Sequence, residues 1–357
     1  MPASSTLRRR LTLTLGTAAA LTLALTACTS NEVPPDPTTA GGGSTSSAPA
    51  AGAGGNDEPG EKVVIGFSGP AADHGWLGAI NKAAIAEAGR YSDVELKVSE
   101  GTNDANLQIS QVETFINEKV DAIVLLPTDG AALTDVAIKA MEAGIPVINV
   151  DREFSSTFAA RVTVLGDNYG MGVSAGTYIC ERLGDKPDAV VAEIAGIDSL
   201  PLTQDSSKGF NDALAGCGLK VANRVAADFT IQGGESVTAQ LLQAAPKIDA
   251  IWNHDDDQGI GVLAAIDTAK RDEFFMVGGA GSKDVMELIK SGDSVMEATV
   301  IYPSTQAADG IRLARILAQG RVMGDLVSGT VPRKVQLYAP VVTKDNVDDF
   351  IGAAFTS

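Results

Sequence analysis

From Lys62 onward the chain alternates short, continuously apolar runs with longer stretches of helical spacing, and few folds accommodate that pattern. KVVIGFS (62–68), DAIVLLP (121–127) and IPVINV (145–150) carry almost no polar residue on either face. As strands they must be buried on both sides. Between them, GWLGAINKAAIAEAG (75–89), ANLQISQVETFINEK (105–119) and GAALTDVAIKAMEAG (130–144) repeat apolar residues at helical intervals. This alternation predicts α/β architecture, with parallel sheets covered by helices on both faces. It restarts at RVTVLGDN (161–168) and runs to STQAADGIRLARILAQG (304–320). A chain of 357 residues suits two lobes better than one core.

The N-terminus does not belong to that fold. Arg8, Arg9 and Arg10 precede an apolar run and small residues, the layout of a signal peptide over residues 1–27. Leu25-Thr26-Ala27-Cys28 resembles a bacterial lipobox, which implies a lipid on Cys28 and cleavage before it. An ordinary secretion signal with a chance cysteine is the alternative. Residues 28–60 are mostly Gly, Pro, Ser, Thr and Ala and read as a disordered tether. The folded part would then hang at the extracytoplasmic face of the cell membrane, held by its lipid anchor. In that oxidising setting Cys180 and Cys217, on predicted helices of one lobe, either form a disulfide or stay as buried thiols. A formal charge of −18 argues against a nucleic-acid partner, whose binders carry a basic footprint.

Ligands of open α/β sheets bind at the carboxyl ends of the strands. The run 145–150 ends there in an acid beside a base, Asp151-Arg152. Such a pair offers acceptors and a fork of donors to vicinal hydroxyls while keeping local charge balanced. A structural ion pair is the competing explanation. The only two histidines and two tryptophans also fall near strand ends, as Asp73-His74 with Trp76 and as Trp252 with His254. An aromatic plate beside short polar side chains suits a sugar; alternatively Asp73 merely caps the next helix. Asp255, Asp256 and Asp257 are consecutive, without the alternating ligands a calcium loop needs. One acid is expected in the cleft and another as a helix cap. No catalytic motif is present, so no enzymatic activity, metal or cofactor is expected.

IVLLPTD (123–129), IPVINVDRE (145–153), LGDNYGMGVSAGTYI (165–179), SKGFNDAL (207–214) and VVTKDNVDDF (341–350) together resemble the periplasmic sugar-binding proteins of ABC transporters, the ribose-binding type most of all. The resemblance implies the type I periplasmic binding protein fold, two Rossmann-like lobes joined by a three-segment hinge that close on ligand. It divides the chain into an N-terminal lobe (61–167 plus 303–325) and a C-terminal lobe (168–302 plus 326–357). It implies that Ser68, His74, Asp151, Arg152 and Asp255 supply polar contacts, that Trp76 and Phe229 are aromatic plates, and that Tyr302 stands where ribose binders have Gln. Leu126, Ser206 and Ala280 replace polar residues of the family, which points away from ribose itself toward another small neutral sugar or polyol. The implied function is that of a lipid-anchored, monomeric solute-binding protein that captures its ligand and delivers it to an ABC permease. The alternative is a sensory receptor of the same fold that passes the closed complex to a membrane signalling protein.

Overall fold

The computed structural model describes residues 55–184, 186–324 and 329–356. The expected signal peptide, Cys28 and most of the expected tether lie outside the described residues. The first lobe comprises β1 (Val63–Ser68), α1 (Gly75–Ala88), β2 (Val94–Val98), α2 (Ala105–Glu118), β3 (Ala122–Leu125), α3 (Gly130–Glu142), β4 (Val147–Val150) and β5 (Val162–Gly166). The second follows with α4 (Asn168–Leu183), β6 (Val191–Ala195), α5 (Pro201–Gly216), β7 (Val221–Ala226), α6 (Ile231–Ala244) and β8 (Ala250–Asn253). It continues through α7 (Asp256–Ala269), β9 (Phe275–Ala280), α8 (Lys283–Ser291) and β10 (Met296–Ile301). The chain returns to the first lobe as α9 (Gln306–Ala318) and β11 (Lys334–Leu337), then ends in the second with β12 (Val341–Thr343) and α10 (Val347–Phe350).

Each lobe holds a six-stranded sheet, ordered β11-β5-β4-β3-β1-β2 and β12-β10-β9-β8-β6-β7. All neighbours pair parallel except β12, which runs antiparallel to β10. The central strands β3, β4 and β8 are buried at every residue, as their two-sided apolar runs require, whereas the edge strands β2 and β7 are only partly covered. In both sheets the strand order reverses around the first strand, so the crevice predicted from topology opens beyond the carboxyl ends.

The three crossings between lobes lie at residues 166–168, 301–306 and 337–341. The third corrects the boundary expected at 325/326. β11 completes the first sheet through Val335↔Val164, so the C-terminal segment changes lobe only after Leu337. Its short, half-exposed run carries no two-sided apolar signal. The crossings are cross-tied: Asp167 N donates to Leu337 O (2.9 Å), Gln336 Nε2 to Asp167 Oδ1 (2.8 Å) and Ser174 Oγ to Ala339 O (3.0 Å).

Residues 55–60, expected as part of the tether, are instead held on the first lobe together with Glu61. Arg315, only 2% exposed, bonds both carboxylate oxygens of Asp93 (2.9 and 2.6 Å), Glu58 O (2.8 Å) and Asn56 O. Gln319 Nε2 donates to Glu61 O (2.7 Å). A segment without large apolar side chains still brings backbone acceptors, and a buried guanidinium needs them. Arg315 holds the Asp93 carboxyl well below the usual range. In the second lobe Cys180 and Cys217 form a disulfide that joins the C-terminal ends of α4 and α5. Among the described residues no helix is long and apolar enough to cross a membrane.

Candidate functional site

The crevice between the lobes holds a cavity walled from both sides, the concave setting in which small molecules bind. The first lobe contributes His74, Trp76, Asp151 and Arg152 to its wall. The second contributes Asn168, Met171, Leu202, Ser206, Phe229, His254, Asp255 and Ala280, and Tyr302 enters from a crossing.

Asp151 follows β4 with φ +64, a left-handed conformation that non-glycine residues rarely adopt. Its N–H is held by Val164 O (2.9 Å), and Oδ1 accepts the Tyr302 hydroxyl (2.6 Å). Oδ2 lies 3.8 Å from Arg152 Nε, close enough for charge attraction but too far for a hydrogen bond. Arg152 is oriented by Thr128 O, which accepts from Nη1 (2.8 Å). Burial raises the Asp151 carboxyl, an effect opposed by the Arg152 charge and the Tyr302 bond. Burial and the neighbouring Asp151 charge push the Tyr302 phenol well up, so it keeps its proton and donates.

Aromatic rings form the apolar walls. Trp76 meets Tyr302 at 5.3 Å between centroids, and its Nε1 donates to Tyr302 O (3.0 Å). His74 of the first lobe faces Phe229 of the second at 5.9 Å. Two glycines make room for these rings. A Cβ on Gly166 would stand 2.1 Å from the Tyr302 ring, and one on Gly196 equally close to Phe229.

The three consecutive acids divide their tasks further than expected. Asp255 both lines the cavity and caps α7, its Oδ1 accepting from Asp257 N (2.9 Å) and Gln258 N (3.2 Å). Burial, then the adjacent Asp257 and Asp256, raise its carboxyl well above the usual range. Asp256 is wholly buried and accepts from Gly281 N (2.9 Å), Ser282 N (2.6 Å) and the Thr299 hydroxyl (2.9 Å). Its pKa is raised to about 7 by burial. Asp257 reaches across the crevice, where its Oδ2 accepts the Trp76 N–H (3.3 Å). The first turn of α1 thereby gains an acceptor that its own N-cap, His74, does not supply.

Of the expected ligand residues, His74, Trp76, Asp151, Arg152, Phe229, Asp255 and Tyr302 converge on this cavity. Ser68 and Asp73 do not line it. Ser68 is fully buried one layer behind, donating to Gln111 Oε1 (2.9 Å) and accepting from Gln108 Nε2 (3.2 Å). Asp73 turns outward to His74 Nδ1 (2.7 Å) and Asn103 Nδ2 (3.0 Å), and it does not cap α1. Trp252 is no plate either. It lies within β8, fully buried and packed in a tilted pair against Phe210, with ring centroids 4.6 Å apart. Ser206 and Ala280, noted as departures, are wall residues, while Leu126 is core. Asn168, Met171 and Leu202 escaped notice because they sit in the first turns of α4 and α5, where their spacing reads as ordinary helix. Among the described residues no group of three or more His, Cys, Asp or Glu is arranged to hold a metal ion.

Comparison with known proteins agrees with this geometry. Residues 65–321 match the family described as periplasmic binding protein domain. The chain is 31% identical to the ribose import binding protein of Bacillus subtilis over 237 residues, 64% of this chain and 75% of that one. It is 27% identical to the xylitol-binding protein of Mycolicibacterium smegmatis over 264 residues, 72% of this chain and 71% of that one. A solved ABC-transporter solute-binding protein from Mycobacterium smegmatis, with bound glycerol, aligns at a TM-score of 0.74 and 25% identity, covering 83% of this chain and 99% of that one. With two α/β lobes of type I topology around an interlobe cavity, this chain belongs to the periplasmic binding protein family and is ribose-binding-like within it.

Proposed function

We propose that the protein is an extracytoplasmic solute-binding protein that captures a small neutral sugar or polyol and delivers it to an ABC permease. The observation that carries the reading is the cavity itself. Rings from both lobes flank Asp151, Arg152 and Asp255, so apolar C–H faces and hydroxyls can be met together. Buried carboxylates disfavour an anionic ligand, and the relatives named for ribose and xylitol agree in chemical class. Lobe closure around the ligand would present both lobes to the permease in one arrangement. The protein acts as a monomer without turnover, and the lipid on Cys28 keeps it at the membrane.

Thermal unfolding of the chain from Gly55 tests this against D-ribose, xylitol, myo-inositol and glycerol, with ribose 5-phosphate as a charged control. A ligand at a hundred times its Kd stabilises by about 2.7 kcal/mol. A shift with a neutral polyol and none with the phosphate is expected; the reverse pattern, or no shift with any neutral member, overturns the reading. Cys28→Ser should release the full chain from membranes, and retention would refute the lipid anchor.

A further inference from the structure

Glu193 is a carboxylate with no exposed surface in the middle of β6. An isolated buried charge is costly, so its partners are informative. Oε1 accepts from the Ser207 hydroxyl and lies 3.0 Å from His254 Nε2, while Oε2 faces Arg224 Nε at 3.3 Å. Burial alone would raise this carboxyl, but the bonds from His254 and Ser207 and the Arg224 charge hold it below the usual range. An ionised Glu193 can only accept, so His254 must carry its proton on Nε2. Burial lowers the imidazole pKa despite Glu193, with Arg224 from β7 and Asp198 beyond β6 as the other charged groups acting on it. The ring is therefore neutral at pH 7, with a lone pair on Nδ1. That nitrogen has no hydrogen-bond partner among the described residues, and His254 lines the cavity. The ring also packs against Trp252 in a tilted pair with centroids 4.0 Å apart, and Trp252 in turn packs on Phe210.

We propose that Glu193 is a positioning residue that fixes the His254 tautomer, so that Nδ1 is a rigid acceptor for one hydroxyl of the ligand. The inference rests on the sugar-binding reading and sharpens it. At this point the ligand must donate, so an ether oxygen or a deoxy carbon there is rejected.

The chain has two histidines, so ¹⁵N–¹H correlation spectra of the labelled protein resolve both rings, with His74→Gln to assign them. Without ligand at pH 7, His254 should show Nε2 protonated and Nδ1 bare. The Nδ1–H tautomer or a doubly protonated ring overturns the proposal. D-ribose and xylitol are then titrated in. A binding probe should move the Nδ1 resonance in the direction of an accepted hydrogen bond; binding that leaves it unmoved overturns the proposal while the sugar reading stands. If His254 has the expected tautomer but neither these nor the other neutral polyols bind, the sugar reading fails and the ligand half of the inference falls with it. Glu193→Gln, which keeps shape but weakens the tautomer lock, should mix the tautomers and lower affinity about tenfold. Mixed tautomers with unchanged affinity would overturn the positioning role.

Discussion

The two lobes repeat one topology but finish the same strand end with different chemistry. β4 and β9 each stand third from the edge of their sheet, and the chain at their carboxyl ends takes a positive φ, at Asp151 (+64) and Ala280 (+87). In the first lobe the turn lies directly on Gly130, the first residue of α3, where a Cβ would come within 2.1 Å of Glu153 O. Its side chains are thus free to point at the cleft. In the second lobe the first residue of α7 is Asp256, whose buried carboxylate holds the turn from beneath through Gly281 and Ser282. There the cleft receives only the Ala280 methyl, and polar contacts come instead from His254 and Asp255. The helix pairs differ as well. α4 and α5 are joined covalently by Cys180–Cys217, whereas α9 and α1 are joined by Arg312 Nε and Glu87 Oε1 at 2.6 Å. One architecture therefore tolerates different solutions at each equivalent place.

This comparison can be broken by substitution, starting where the effect is largest. Asp256→Ala strands two buried N–H groups and a hydroxyl and should cost roughly 3–6 kcal/mol in chemical denaturation; a loss below 1 kcal/mol would show that the turn holds itself. Replacing both Cys180 and Cys217 by Ser removes a cross-link spanning 37 residues and should cost about 3–4 kcal/mol. Glu87→Gln at the equivalent helix pair should cost only about 1 kcal/mol, since Arg312 is partly exposed. Equal losses from the two would erase the distinction between the lobes. In the cleft, Asp151→Ala and Arg152→Ala should each weaken binding of a neutral polyol roughly tenfold to a hundredfold. Unchanged affinity would place the ligand elsewhere.

A further effect separates the lobes by pH. Asp256, raised from 3.8 to about 7, keeps a proton that the unfolded chain has lost, so its stabilising contribution is complete below 3.8 and lost as pH climbs toward 7. Asp93, held below 3.8 by Arg315, does the opposite: its contribution is present above 3.8 and lost as pH falls below it. Asp256→Asn should flatten the decline between about pH 4 and 7, by up to about 1 kcal/mol per pH unit, and leave the acid limb unchanged. A wild-type slope that survives the substitution would assign that titration to other groups, such as Asp255.

What could be read in advance follows from the kind of signal each feature leaves. Strands such as 122–125 and 147–150 are apolar on both faces, and that pattern has few alternatives. β11 and β12 are short, with exposed or half-covered positions, and leave no such trace. Asp151 and Arg152 were legible because a charged pair is out of place at the end of an apolar strand. Ser68, also polar at a strand end, points instead to Gln108 and Gln111, a choice that only three-dimensional packing decides. Trp252 looked like a binding ring and is core, because β8 buries every residue it contains. Met171 and Leu202 line the cavity although nothing in their spacing distinguishes them from ordinary helix residues.

The grip of Arg315 on residues 55–61 also determines where force enters the molecule. A pull on the N-terminal segment is taken up by Asp93, Arg315 and Gln319, all of the first lobe, at the end of β1 remote from the crevice. None of it need pass through the crossings at 166–168, 301–306 and 337–341. Under the anchoring proposed at Cys28, the first lobe would serve as the mounting with the second suspended from it, and the strain of tethering would stay out of the three crossings.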